Sequence, residues 1–546
     1  MESDTDVEKK KTARIAILVV HGVGEQRRFE YLESVATHLY QVLSRQGRDP
    51  HVALRFGDQD PRNSPEHSLR ESPAMVRWRA PDGRSIEAVF REVHWADLDM
   101  PQTAWNWLKL VGWSLSVPGV RLFRRARVGP PEKRGLCAPV TLGFWKRLWV
   151  RAELFLVALL FLILLGTVGL ADVLLRRLAL RLPVFARTRD LVYDYLGDVK
   201  LYQDWFPRKE ERLEVIGEKS RVAIRRRMVR ALLRTAAEAE RGEIDGFYVL
   251  AHSLGTVVAF NGLMEPDLSL PNYLTQEEWN GLPSAFKKTV NRTLPKWLTP
   301  RRPPWLDAGA VPAQADAVLP RDTIPRQNVF AALRGVLTMG SPLDKFAALW
   351  PAIVPVHVAG LGREVPWINI ADVQDIVAGK IDLLKPCPPS PNLGGLVLQH
   401  NIRWSDRLFF GNAHTSYWRV TSRRDRLIDR LVPWLEGQAF DPPRNARPGW
   451  LSWTVFVGSV LASGAFLLWA FTSLVWLIAV GAKALSSTSG VMQAMETLLA
   501  PAGGLQEYTR TIFLGMGAFL AVGALIVLVF SLGRWLWENA KFGRES

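Results

Sequence analysis

Cysteine is nearly missing: Cys137 and Cys387 are the only two in 546 residues. Two thiols cannot build a disulfide framework, nor by themselves a structural zinc site. Charge is also thin, with Asp, Glu, Lys and Arg at 22% against 48% hydrophobic residues, which excludes wholesale disorder. Acids are the scarcer sign, 53 against 69 basic residues, leaving a net charge of +16. The N-terminus, MESDTDVEKKK, lacks the apolar stretch of a signal peptide, and no internal repeat occurs. Histidine is scarce as well, at nine, so few residues can serve a histidine-dependent site. What the chain does have is length for about two to four domains and several uncharged runs of about 20 residues. These features describe a membrane-attached intracellular protein.

A polar tail, 1–12, precedes Ile15–Val20, a continuous β-branched-rich run that reads as a buried parallel strand covered on both faces. Apolar residues at Leu32, Val35, Ala36, Leu39, Val42 and Leu43 have helical spacing. Further strands are expected at Ile86–Trp95, Phe247–Ala251, Gly335–Met339, Val365–Ile370 and Leu396–Arg403, and helices over 213–240 and 415–436. The order points to an α/β fold with a mostly parallel sheet and helices on both faces. The core divides into 13–102, 183–264 and 328–440. A membrane-associated insert occupies 103–182, a proline-rich lid or insert 265–327, and a membrane-helix hairpin 441–546.

Chemistry concentrates at Ala251-His252-Ser253-Leu254-Gly255, directly after a strand and before an apolar helical run. A serine on a sharp strand-to-helix turn needs small neighbours two residues away on each side, here Ala251 and Gly255. The helix N-terminus then offers free N–H groups to a developing oxyanion. A second loop, His21-Gly22-Val23-Gly24, follows the first strand. Arg27 stands where a dinucleotide fingerprint would carry its third glycine, which argues against that alternative.

Strand, His-Ser-Leu-Gly and helix together resemble the α/β-hydrolase superfamily of serine hydrolases, especially its lipase and esterase branches. The resemblance implies Ser253 as nucleophile and an oxyanion hole made by the N–H groups of Val23 and Leu254. It assigns His21, Gly22, Gly24, His252 and Gly255 to the loops that shape them. It also implies the chain order Ser, acid, base. After the elbow only His357, His400 and His414 remain. His357 precedes the acid candidates and His400 lies inside a strand-like run. His414, in the loop Gly411–Tyr417, takes the position of the catalytic histidine. The segment Trp367–Val377 resembles the superfamily's acid-bearing strand end, favouring Asp375, with Asp372 as the alternative acid. Ser341, in Gly340-Ser341-Pro342, is expected to shape the pocket. Such a triad requires no cofactor and no metal.

Leu154–Leu175 holds 22 residues with one charge, Asp172, and spans about 33 Å as a helix, against a hydrocarbon core of roughly 30 Å. It spans, re-enters, or lies at the interface beside the Trp-rich stretch 103–120. Leu451–Ala482 and Thr511–Gly533 form the C-terminal hairpin. Basic residues number five on its outer flanks and two in its loop, which puts the catalytic domain on the cytoplasmic side. The basic stretches 121–134 and 221–234 are expected to meet anionic lipid headgroups. No nucleic-acid-binding module accompanies them, so nucleic acid is not expected as a partner. The expected substrate is a hydrophobic ester or thioester. An inactive membrane scaffold and an acyltransferase using the same serine are the competing expectations.

Overall fold

The computed structural model describes residues 12–23, 28–54, 74–98, 197–203, 220–289, 322–382, 394–404, 413–418 and 427–442, with short gaps, and scattered positions within 106–113 and 450–458. Eight strands form one mixed sheet. They are β1 (Ala13–Val20), β2 (His51–Leu54), β3 (Ala74–Arg79), β4 (Ser85–Val93), β5 (Gly246–His252), β8 (Leu333–Met339), β9 (Glu364–Asp372) and β10 (Gly395–Trp404). A separate two-stranded ribbon pairs β6 (Lys288–Thr289) with β7 (Asp322–Thr323). The sheet order is β10-β9-β8-β5-β1-β4-β3-β2. Pairing is parallel from β10 through to β4 and antiparallel for β4–β3 and β3–β2. The chain is therefore an α/β protein with a mostly parallel sheet.

The continuous apolar run of β1 is explained by what covers it. Ile15, Ile17 and Val19 face α1 (Glu30–Arg45) and the C-terminal helix over Leu427–Leu435. Ala16, Leu18 and Val20 face α2 (Ser220–Glu240) and α3 (Leu254–Leu263). Both sides of the pleat are thus buried, as a central parallel strand requires. β3 lies near the sheet edge and shows one-sided alternation: Ala74, Val76 and Trp78 point into the α1 side, while Arg77 and Arg79 are exposed.

The long basic helix begins at Ser220 among the described residues, and its arginines do not form a basic outer face. Arg221, Arg225, Arg226 and Arg230 are between 2 and 5% exposed. Arg225 pairs with Glu265 at 3.1 Å, Arg230 with Glu278 at 2.9 Å, and Arg227 with Asp97. The expectation that 221–234 meets lipid headgroups is corrected here. The sheet packs against α2, and Leu270, Tyr273, Trp279, Leu282 and Phe286 belong to the same core. Glu265 and Glu278 offset the buried charge of Arg225 and Arg230, and the carbonyls of Asn272 and Tyr273 accept from Arg226 and Arg230. Those packed residues also begin the segment expected as a lid; 290–321 lies outside the described residues.

Among the described residues no helix is long and apolar enough to cross a membrane. The expected membrane segments 154–175 and 511–533, and nearly all of 103–120 and 451–482, lie outside the described residues.

Candidate active site

The C-terminal ends of β1, β5, β8 and β9 open onto one edge of the sheet, where ligands of open parallel sheets bind. Ser253 occupies the turn from β5 to α3 with φ 54° and ψ −132°, a left-handed conformation for a residue with a Cβ. Such a backbone costs on the order of 1–3 kcal/mol and persists only where neighbours enforce it. Here the Ser253 N–H donates to the Met339 carbonyl at 3.0 Å. The Ser253 carbonyl accepts from the Thr256 N–H at 3.0 Å and the Thr256 hydroxyl at 2.7 Å. Thr256 Oγ1 lies 2.8 Å from Ser341 Oγ, so Ser341 braces the elbow from the end of β8.

Two glycines permit the close approach. A Cβ on Gly255 would lie 2.2 Å from the His21 carbonyl oxygen, so only glycine lets α3 start against the end of β1. A Cβ on Gly22 would lie 2.5 Å from Ser253 Cβ and 3.1 Å from its Oγ. The loop after β1 therefore touches the serine, with Val23 next in the chain and Leu254 opening α3. Gly24 lies outside the described residues.

His21 fastens this loop to β4. Its Nδ1 lies 2.9 Å from the Gly22 carbonyl, and its Nε2 accepts the Trp95 N–H at 3.0 Å, with the rings stacked at 4.9 Å. Burial, reinforced by nearby His94, pushes its pKa down to about 3, so it stays neutral.

Asp375, Ser253 and His414 converge from three separate segments. His414 Nε2 lies 2.6 Å from Ser253 Oγ, and its Nδ1 lies 3.0 and 2.9 Å from the two carboxylate oxygens of Asp375. That geometry fixes the tautomer: Nδ1–H donates to Asp375, and the Nε2 lone pair faces the serine hydroxyl. The Asp375 carboxylate also accepts the Val377 and Ala378 N–H groups at 2.9 and 3.1 Å and the Tyr417 hydroxyl at 2.7 Å. Burial alone would raise its pKa; His414, Tyr417 and the Val377 N–H outweigh it and hold the group well below the usual carboxylate range. Asp372, the alternative acid, instead accepts the Gln374 N–H at 2.7 Å within its own turn. Between the two aspartates it is Asp375 that the fold brings to the histidine. His400 lies in β10 with its ring 5.7 Å from Phe440.

Several residues beyond those read from the sequence complete the site. Tyr417 bridges the two aspartates, donating to Asp375 and accepting the Asp372 N–H at 2.9 Å. Asn369 and Asn401, from β9 and β10, hold the loop after Asp375 through the Gly379 carbonyl and both backbone groups of Ile381. Gln374 donates to the Ser452 carbonyl, bringing the start of the C-terminal apolar run against the acid turn. None of these residues carries a local sequence signal; only the spacing of three between His414 and Tyr417 places the latter nearby.

The arrangement can activate a serine hydroxyl and hold the proton it releases. Among the described residues no group of His, Cys, Asp or Glu converges to hold a metal ion. Comparison with family models, with curated proteins and with solved structures yields no match to any of them.

Proposed function

We propose that the chain is a membrane-anchored serine hydrolase of the α/β-hydrolase type that cleaves a hydrophobic ester or thioester. One observation carries this reading: a continuous hydrogen-bond line from the Ser253 hydroxyl through His414 to a buried carboxylate, with the serine on a strained strand-to-helix turn. A helix-capping serine needs neither the strain nor the line.

In the proposed reaction Ser253 Oγ attacks the carbonyl carbon as His414 Nε2 takes its proton. Asp375 keeps Nδ1 protonated and stabilises the imidazolium. The N–H groups of Val23 and Leu254 receive the oxyanion, and backbone donors do so without reorganising. Collapse expels the alcohol or thiol, which takes the proton from His414. Water then attacks the acyl-enzyme with His414 as base, releasing the acid and restoring Ser253.

The hydrophobic substrate follows from the nearly uncharged segments 154–175, 451–482 and 511–533, which would anchor the enzyme with its catalytic domain on the cytoplasmic face. Since the arginines of α2 are committed inside the fold, attraction to anionic headgroups falls to the basic stretch 121–134. A fluorophosphonate probe tests the reading directly: the full-length protein in lipid should be labelled, and Ser253→Ala should remain folded and unlabelled. Labelling that persists in Ser253→Ala moves the nucleophile elsewhere. Long-chain esters in vesicles should also be turned over faster than matched short soluble esters. If soluble esters win in every lipid composition, the anchor has no part in substrate choice.

A further inference from the structure

His252 has no part in the reaction above, yet it grips the backbone of the base. Its Nε2 lies 2.6 Å from the backbone carbonyl of His414. A carbonyl only accepts, so Nε2 carries the proton and donates. The ring is 7% exposed, stacked on Tyr31 at 5.7 Å and tilted against the His414 ring at 4.9 Å and Tyr417 at 5.7 Å. We propose that His252 is a positioning residue that sets the register between nucleophile and base by gripping the His414 backbone from the position covalently next to Ser253.

His414 sits in a turn at 413–415, not in a helix or strand, so no ladder fixes its carbonyl. Its ring nitrogens reach Ser253 through Nε2 and Asp375 through Nδ1, and neither of these contacts holds the backbone. A ring held at its nitrogens still moves when its backbone moves, and a shift of about 1 Å at a reacting atom costs roughly 100-fold in rate. The bond from His252 holds the backbone itself. Because its donor is one residue from the nucleophile, any movement of the elbow carries the grip with it, and the separation of Oγ and Nε2 is preserved.

The chemistry of histidine suits this task better than a lysine or arginine would. Burial, helped by the nearby His414, pushes the His252 pKa down to about 3, so it donates a proton-bearing nitrogen without a charge. When His414 becomes an imidazolium during attack, no like charge stands 4.9 Å away. The titratable groups around His252 are His414 and Asp375, with Tyr31 and Tyr417 against its faces. Burial pushes both phenols up, so they stay neutral as well.

This proposal rests on the serine-hydrolase reading, and the test separates the two. His252→Phe keeps an aromatic ring and removes the donor; His252→Gln places an amide N–H where Nε2 stood. Each variant is assayed for kcat and KM on p-nitrophenyl butyrate, for the rate of fluorophosphonate labelling, and for its thermal midpoint. His252→Phe should lower kcat and the labelling rate together by about 30–100-fold with KM within about twofold, while His252→Gln recovers to within about fivefold of wild type. The acid limb of the pH–rate profile should be the same in His252→Gln and wild type. Wild-type kcat in His252→Phe, or equal losses in Phe and Gln variants of equal midpoint, overturns the proposal. So does a displaced acid limb, which would make His252 a titrating base. If His252→Phe does not fold, His252→Asn replaces it, since its amide is too short to reach; equal activity of Asn and Gln variants is then the overturning result. Absence of labelling in wild type rejects the hydrolase reading itself.

Discussion

The two sides of the site are built by different means. The nucleophile side is held by backbone: Ser253 is bonded through both its N–H and its carbonyl, and Gly22 and Gly255 let three chain segments meet at van der Waals distance. The base side is held by side chains. The short segment 413–418 is fixed by His252 on the His414 carbonyl, by Tyr417 on both aspartates, and by Trp418 donating to the Tyr31 hydroxyl. Backbone-built parts tolerate changes of side chain but not of glycine; side-chain-built parts have the reverse sensitivity.

The largest test removes the base. His414→Ala should lower turnover by roughly 10³–10⁶-fold, as loss of a triad member does, without loss of the far-ultraviolet circular dichroism of the fold. Asp375→Asn should cost about 10⁴-fold by presenting the wrong tautomer to the serine, whereas Asp372→Asn should cost less than about tenfold. Reversal of that ranking in steady-state assays would break the assignment of the acid. On the backbone side, Gly22→Ala drives a Cβ against Ser253, and a loss of about 100-fold is expected at an unchanged fold. A variant with wild-type activity would show that the loop yields freely. Tyr417→Phe removes one of several hydrogen bonds to Asp375 and should cost about tenfold, with little change in KM.

The smallest effect concerns stability and pH. Glu92 at the end of β4 accepts the Phe29 N–H, and burial, the leading cause, raises its pKa to about 7. Between the ordinary carboxylate range near 4 and about 7, the unfolded chain ionises this group while the folded chain keeps it protonated. Folding is thus linked to proton uptake, and this contribution to stability falls as pH rises through that window, then levels off. Glu92→Gln should flatten that slope in urea unfolding measured from pH 4.5 to 7.5. Asp375 acts in the opposite sense. Its depressed pKa stabilises the fold above the ordinary carboxylate range and is lost as pH falls through its lower folded value, so Asp375→Asn should shorten the acid-unfolding transition.

The same division decides what could be read from the sequence. The elbow was legible because a strand, a serine flanked by small residues and an apolar helix are consecutive, and the apolar run of β1 announced a strand with two buried faces. Six of the strands carried such runs. β2 was missed because four residues give no period, and β3 because it is six residues long and Met75 stands among the outward positions of its alternation. His252, Tyr31 and Tyr417 were illegible as partners, since each acts on a residue brought to it by the sheet and by no local pattern. The arginines of α2 misled for the same reason. Their acids, Glu265 and Glu278, lie in the following segment and reach them only after folding.

The pairing of β1 with β5 has a consequence in time. Arg14 and Asp245, hydrogen-bonded where these strands begin, are 231 residues apart, and Ser253 and His414 are separated by 161. Closing such loops costs entropy before any contact rewards it, so sheets built this way form slowly and their most distant junctions form late. The serine elbow can take its strained shape only once β1 and β8 have both docked on β5, and the base can reach it only after β9 has joined. On the proposed reading, competence to react with an active-site probe would then appear in the slowest refolding phase, after the recovery of helical signal, making Ser253 a clock for the completion of the sheet.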